Sequence, residues 1–224
     1  MSFEETELGF EYIENNIIYF FGKHCSDLLS LQKKYPLLNW SSVKQVHGNR
    51  LVESSQPSLN FTEADAQWTK ESNLALITKT ADCLPVLGFN ALTSTIVSIH
   101  AGWRGVANGI VGKSIQSLSD PNSLKSWKLW VGPHIMKNSF SIRSDAIEIL
   151  KEGTTLPSEE WLIKENDSSY ADLSKILESQ LINIGLNSKQ VEKCFFDTKT
   201  DFRFHSFRRD QQLSGRQISF VAKF

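Results

Sequence analysis

The sequence predicts a fold of the α/β or α+β class built on a mixed sheet. Two observations lead there. Short β-branched and aromatic runs, bounded by turn residues, recur along the whole chain. Segments of helical spacing lie between these runs rather than collecting at one end. No internal repeat, low-complexity tract or linker divides the 224 residues, a length that suits one domain or two small ones with a sizeable core.

Taken in order, "NNIIYFFG" reads as a strand. "SDLLSLQKKYP" reads as a helix that starts at a Ser26 or Asp27 cap and stops before Pro36. "WSSVKQVHGNRLVE" reads as a strand, a His-Gly-Asn turn and a second short strand. "SSQPSLNFTEAD" is polar and contains a proline, which predicts a loop. "LALITKTADCLPVLGFN" and "STIVSIHAGWRG" predict buried strands that end on chemically active residues, and "GVANGIVGKSIQSLS" predicts a helix behind them. "SWKLWVGPHI" is a strand running into a Gly-Pro turn. "SDAIEILKEG" is a helix with a serine cap and a glycine stop. "DLSKILESQLINIGL" is amphipathic, with Leu173, Ile176, Leu177 and Leu181 on one stripe, and "QISFVAKF" is a terminal strand.

Composition narrows the function. The formal net charge is −1, with 22% charged and 40% hydrophobic residues. That balance gives no electrostatic case for nucleic acid or an anionic membrane as partner. No apolar stretch is long enough to span a bilayer, and the acidic start "MSFEETELGF" lacks the layout of a signal peptide. The expected compartment is the cytoplasm. Cys25, Cys83 and Cys194 are odd in number and widely spaced, so reduced thiols are expected rather than a disulfide framework.

Three strand-to-loop positions carry the chemistry: His47 in "KQVHGN", Cys83 in "TADCLP" and His100 in "SIHAGW". Each is flanked by small or turn-forming residues that leave the side chain accessible. Cys83 and His100 fall on neighbouring predicted strands. Two imidazoles and a thiolate suit zinc, and three protein ligands with an open position is the catalytic pattern. The same Cys83–His100 pair also suits an activated nucleophile, with Asp82 or another carboxylate orienting the imidazole. Ordinary core packing is the third reading of such residues.

The segments "QVHGN", "ADAQWT", "TADCLPV", "HAGWRG", "VGPHI" and "SFRRDQQLSGR" occur in the order seen in one family. The chain resembles the bacterial laccase-domain family over nearly its whole length. Members of that family have been called multicopper polyphenol oxidases, purine nucleoside phosphorylases and peptidoglycan editing factors. The resemblance implies a single laccase-type domain over residues 1–224, with mixed β-sheets and flanking helices. It implies zinc on His47, Cys83 and His100, with copper as the alternative metal. It also implies phosphorolysis of adenosine, inosine and methylthioadenosine, together with adenosine deamination, so that the partners are small molecules, a purine nucleoside and phosphate. Five histidines in all are few for a multicopper centre. Two features depart from the family pattern. "GKHCS" stands where an arginine-glycine turn is usual, with Lys23 in the arginine's place, and Cys194 is followed by Phe195. Packing is the role expected for Cys194.

Around this set, Cys83, His100, Asp82 and Arg104 are the catalytic candidates, and Lys44, Arg104, Arg208 and Arg209 the substrate-binding ones. Arg104, in a glycine-framed turn, suits bidentate phosphate binding, with a surface ion pair to a carboxylate as the equal alternative. Trp103 is a candidate base platform or a cover for the core. Asp65 and Asp82 both precede the active strands; Asp82 is the candidate acceptor for a ligand imidazole, with a turn-capping role as the alternative. "SFRRDQQLSGR" is a basic cluster read either as a solvated face with Asp210 pairing or as a phosphate site. Three further readings stand beside the nucleoside enzyme: a Cys–His amidase acting on cell-wall precursors, a copper-dependent polyphenol oxidase, and a non-catalytic binding protein.

Overall fold

The computed structural model describes residues 3–224. Strands β1 (Glu4–Glu5), β2 (Gly9–Glu14) and β3 (Ile17–Gly22) form an N-terminal meander, followed by helix α1 (Leu28–Lys34). Next come β4 (Asn39–Lys44), β5 (Leu51–Glu53), β6 (Ser58–Glu63) and β7 (Ala66–Thr69), then β8 (Leu74–Thr80), β9 (Leu84–Asn90) and β10 (Thr95–Ala101). Helices α2 (Trp103–Ala107) and α3 (Ile110–Ser117) lead to β11 (Trp127–Val131), β12 (Ser141–Ile142), α4 (Ser144–Glu152) and α5 (Ser158–Trp161). The order ends with β13 (Leu162–Glu165), β14 (Ser168–Ala171), α6 (Leu173–Asn183), β15 (Val191–Lys193), α7 (Phe207–Asp210) and β16 (Gln217–Lys223). The result is an α+β fold with mixed sheets.

Two large sheets lie face to face. The first has the order β1-β2-β3-β16-β8-β4-β6 and the second β15-β11-β9-β10-β7-β5; β12-β14-β13 form a small third sheet. Alternation along the strands sorts the core. In β3, Ile17, Tyr19 and Phe21 join a cluster between the two large sheets, while Ile18 and Phe20 face α1 and Leu31 on the other side. In β10, Ile96 faces the first sheet, whereas Val97, Ile99 and Ala101 pack with Ile110, Ile115, Leu173 and Leu177 of the helical layer. By that parity His100 points between the sheets. Gln67 of β7 clamps the sheets there. Its amide donates to the Ser41 carbonyl at 3.2 Å and the Ile77 carbonyl at 2.8 Å, and its oxygen accepts from the Ser41 and Ser54 hydroxyls. All the hydrogen-bonding capacity of this buried amide is met within the protein.

Three expectations are corrected. The stretch expected as a loop contains β6, which pairs in parallel with β4 at the sheet edge. Its residues are mostly exposed, Phe61 among them, so no inward-facing alternation marks it. The helix expected after residue 103 is two helices, because Gly109 takes a left-handed φ of 68° that interrupts the first and begins the second. The helix 144–152 is entered from Arg143 without a side-chain cap, Ser144 being its first residue. Asp27, not Ser26, caps α1 by accepting from the Ser30 amide at 2.7 Å.

Candidate active site

β4 ends at Lys44, but its pairing with β8 is extended by a side chain. Gln45 donates to the Lys79 carbonyl and accepts from the Lys79 amide, both at 2.8 Å. This amide imitates a backbone pair and lets the main chain turn away into the 45–50 loop. His47 sits in that loop with a left-handed φ of 59°, an uncommon conformation for a residue with a side chain. The Asp65 carboxylate holds it there, accepting from the amides of Val46 at 3.3 Å, His47 at 2.9 Å and Gly48 at 2.7 Å.

His100 is the last residue but one of β10 and is buried. Its Nδ1–H donates to Asp65 Oδ1 at 2.8 Å, and its amide donates to the Asp65 carbonyl at 2.7 Å. The Nε2 edge is therefore left for another partner. The His47 and His100 rings meet edge to face with centroids 4.8 Å apart. Cys83 enters from the turn before β9. The antiparallel register sets Ala101 opposite Leu84, which brings Gly102 beside Cys83. The donor atoms of His47, Cys83 and His100 all lie within 4.8 Å of one another. Among the described residues this is the one group of three or more His, Cys, Asp or Glu side chains so arranged.

The donor set and its surroundings fit a zinc ion. Two imidazole nitrogens and a thiolate are borderline-soft ligands, and three of them leave a coordination position open. Gly102 keeps the cradle clear. A Cβ there would lie 3.0 Å from His47 Cδ2 and 3.2 Å from Cys83 Sγ. Electrostatics favour the deprotonated thiol. Burial pushes the Cys83 thiol up, but the His100 and His47 imidazoles outweigh burial and bring it down to about 6. Burial opposes charge on His100 as well, yet Asp65 and Cys83 raise it to about 9. Asp65 is held below its usual range despite burial, by His100 and the loop amides.

The cluster lies in a cleft of about 690 Å³. Lys44, Lys79, Arg104, Arg208 and Arg216 line it with Trp103, Phe140 and Phe207. Each of the three arginines stacks on an aromatic ring: Arg104 on Trp103 at 4.5 Å, Arg208 on Phe140 at 5.1 Å and Arg216 on Phe207 at 5.8 Å. Asp82 is the one carboxylate in the lining, and it is engaged, accepting from Thr198 Oγ1 at 2.7 Å and the Arg208 amide at 2.6 Å. The cleft is thus cationic in a chain whose net charge is −1.

Several predicted residues take other places. Asp82 does not hold an imidazole; Asp65 does, and Asp82 pins the C-terminal loop to the Cys83 turn. Arg209 does not line the cleft. Its guanidinium is occupied by Asp210 and by the carbonyls of Thr198, Lys199 and Phe204. Arg208 lines the cleft with one end tied to the Ser141 carbonyl and hydroxyl at 2.7 Å. Lys44 lines it while pairing with Glu63 at 2.8 Å. Arg104 is exposed, and its guanidinium has no hydrogen-bond or ion-pair partner among the described residues; its contact is the Trp103 ring. His134 is buried on the Gly132 carbonyl, to which its Nδ1–H donates at 2.8 Å, and lies outside the cleft. Lys79 was not foreseen. Its signal was its place in β8, a lone basic residue among buried ones. No helix among the described residues is long and apolar enough to cross a membrane.

A family model described as multi-copper polyphenol oxidoreductase laccase matches residues 25–223. The purine nucleoside phosphorylase YfiH of Shigella flexneri is 28% identical over 184 residues, covering 80% of this chain and 72% of that protein. A purine nucleoside phosphorylase of Haemophilus influenzae is 30% identical over the same shares. In fold, the chain is similar to the Bacillus licheniformis hypothetical protein YfiH, with a TM-score of 0.89, 19% identity and 99% of each chain covered. YlmD from Geobacillus stearothermophilus gives a TM-score of 0.88 at 20% identity, over 99% of this chain and 98% of that one.

Proposed function

The chain belongs to the multi-copper polyphenol oxidoreductase laccase family, and from that premise we propose that it is a zinc-dependent purine nucleoside phosphorylase. The observation that carries the reading is a His47–Cys83–His100 donor set inside a cleft walled by cations and aromatic rings. The relatives named as purine nucleoside phosphorylases support the same activity. Zinc is favoured over copper because one three-donor cluster suits a mononuclear site, whereas multicopper chemistry needs several.

His47, Cys83 and His100 would hold the metal. It would supply Lewis-acid polarisation, or activation of a bound water, beside the substrate. The chain's own residues do the rest. Arg104, free of ion pairs and stacked on Trp103, presents its N–H edge to an anion, and Lys79 adds a second positive charge. An oxygen of phosphate held there bonds to the ribose C1′ as the C1′–N bond breaks; the proton that phosphate gives up passes to the base nitrogen, and free base and ribose 1-phosphate leave. Trp103, Phe140 and Phe207 offer faces for a purine ring. Asp65 fixes the His100 ring so that Nδ1 stays protonated. Adenosine deamination, which needs water but no phosphate, is a second activity proposed for the same cleft. The unpaired cysteines suit a cytosolic setting.

The test is chromatography of adenosine and inosine digests with and without phosphate, beside elemental analysis of protein purified without added metal. Phosphate-dependent release of base together with bound zinc is expected. Equal base release without phosphate would overturn phosphorolysis in favour of hydrolysis. A second reading draws on the line Cys83–His100–Asp65, which is also the arrangement of a thiol hydrolase with an oriented imidazole. Metal-free protein that cleaves an amide and loses that activity on alkylation of Cys83 would establish it instead.

A further inference from the structure

We infer that Asp65 is the positioning residue of the cluster, setting His47 and His100 at once with a single carboxylate. The inference rests on the reading that the cluster holds zinc. The two histidines reach the cleft on different elements, one on an exposed loop and one at the end of a buried strand. Each alone has freedom to miss the metal. His47 stands on a left-handed residue in a loop that has little burial to hold it. His100 has a fixed backbone but a ring that could turn over.

Asp65 removes both freedoms. Oδ1 accepts from the His47 amide at 2.9 Å and from His100 Nδ1 at 2.8 Å, so one oxygen touches both ligand residues. Oδ2 accepts from the Gly48 amide at 2.7 Å and more weakly from Val46, closing the loop around the carboxylate. The side chain has no exposed surface, and the Asp65 carbonyl takes the His100 amide as well. A carboxylate accepts only, and every group facing it here donates. An asparagine in its place would turn an NH₂ toward at least one of these donors.

The consequence differs from that of an ordinary outer-sphere partner. Loss of a group that orients one histidine typically weakens metal binding about 10–100-fold. Loss of Asp65 disturbs two ligands, so the expected effect lies at the upper end of that range, and it survives deletion of either histidine alone.

The experiment measures zinc affinity by chelator competition in wild type, Asp65→Asn, His47→Ala and His100→Ala, and in the two double variants. D65N is expected to weaken binding about 100-fold in the wild-type background. It should also weaken binding severalfold in H100A, where only His47 remains to be set, and in H47A, where only His100 does. No further loss in H100A would show that Asp65 acts through His100 alone and overturn the inference. A D65N protein that melts at a lower temperature with and without zinc, at unchanged zinc affinity, would also overturn it by making Asp65 a purely structural residue. Wild-type protein without zinc affinity would refute the metal reading itself, and the tether would then be judged on the metal-free protein. There, hydrogen exchange and NMR of the wild type serve also where D65N fails to fold. Slow exchange of the His47 and Gly48 amides, with a slowly exchanging His100 Nδ1–H, supports the double tether; fast exchange of these protons overturns it.

Discussion

Two cysteine–histidine regions lie in this fold, and they behave in opposite ways. Cys83, just before β9, and His100, near the end of β10, lie on one side of a cleft. Cys194 and His134 flank the ends of β15 and β11, where the Cys194 amide bonds to the Val131 carbonyl. Both histidines are buried. Burial pushes the Cys194 thiol up to about 11 among the aromatic rings of Phe3, Phe10, Phe21 and Phe196. The same burial acts on Cys83, yet two imidazoles bring it to about 6. His134 is shifted down by burial, with only a carbonyl to bond. His100, bonded to a carboxylate, is shifted up. Burial opposes the charged form in all four groups; it wins at Cys194 and His134, and at Cys83 and His100 the charged and hydrogen-bonding partners outweigh it and reverse the shift.

The largest effect expected from this contrast is on metal and activity. Cys83→Ala should lose stoichiometric zinc and reduce turnover by about 100-fold or more, since even outer partners of a metal ligand reach that figure. Cys194→Ala should keep its zinc. Equal zinc loss in both variants, read by elemental analysis, would break the comparison. Next comes thiol reactivity in metal-free Cys25→Ser protein. Iodoacetamide at pH 7 should label Cys83 and spare Cys194, with Cys83 labelling already rising well below the free-thiol pKa of about 8.5. Mass spectrometry of the peptides reads the difference, and comparable labelling of both thiols would contradict it.

The arginines sharpen the same lesson, since one is engaged and the other is not. Arg104→Lys should raise the phosphate concentration needed for half-maximal rate about tenfold, as an ammonium lacks the planar fork. Arg209→Lys should lower the melting temperature and leave the phosphate response alone. Steady-state kinetics over a phosphate series distinguish these outcomes, and an unchanged R104K curve removes Arg104 from the site.

The smallest effect concerns His134. Its neutral form is favoured in the folded protein, so the unfolded chain takes up a proton first as pH falls through the ordinary value of 6.5. Stability from this residue is complete above that value. It declines below it until the lowered folded pKa is passed. His134→Gln should flatten that part of the pH dependence in urea melts between pH 8 and 5. In the metal-free protein His100 has the other sign, and its contribution fades as pH rises through about 9.

The three donor residues were legible because each ends an extended segment beside small residues. Their carboxylate was not. Asp82 is adjacent to Cys83 in sequence, and adjacency suggested that it served the imidazole. Asp65 reaches His100 through strand pairing, since Ala66 lies opposite Ile99. Register is a property of two distant segments, and neither displays it alone. β6 was missed for a related reason: an edge strand exposed on both faces carries no alternation to read. Arg208 and Arg209 look equivalent in sequence, but a one-residue step around the short α7 turns them to different surroundings.

The place of β16 has a consequence for how the protein is made. The last strand lies between β3 and β8, antiparallel to both, so the N-terminal meander joins its sheet only through residues 217–223. During synthesis the first three strands cannot join the rest of their sheet until residues 217–223 have left the ribosome, and Ile18 and Phe20 have only α1 to pack on until then. β9, β10 and β7 pair with one another without it, so the region around Cys83 and His100 can order earlier than the sheet that roofs it. Ribosome-bound chains stalled before residue 217 would therefore expose an aromatic meander ready to bind chaperones. Removing β16 alone would detach strands β1 to β3 from β8 as well as deleting residues 217–223.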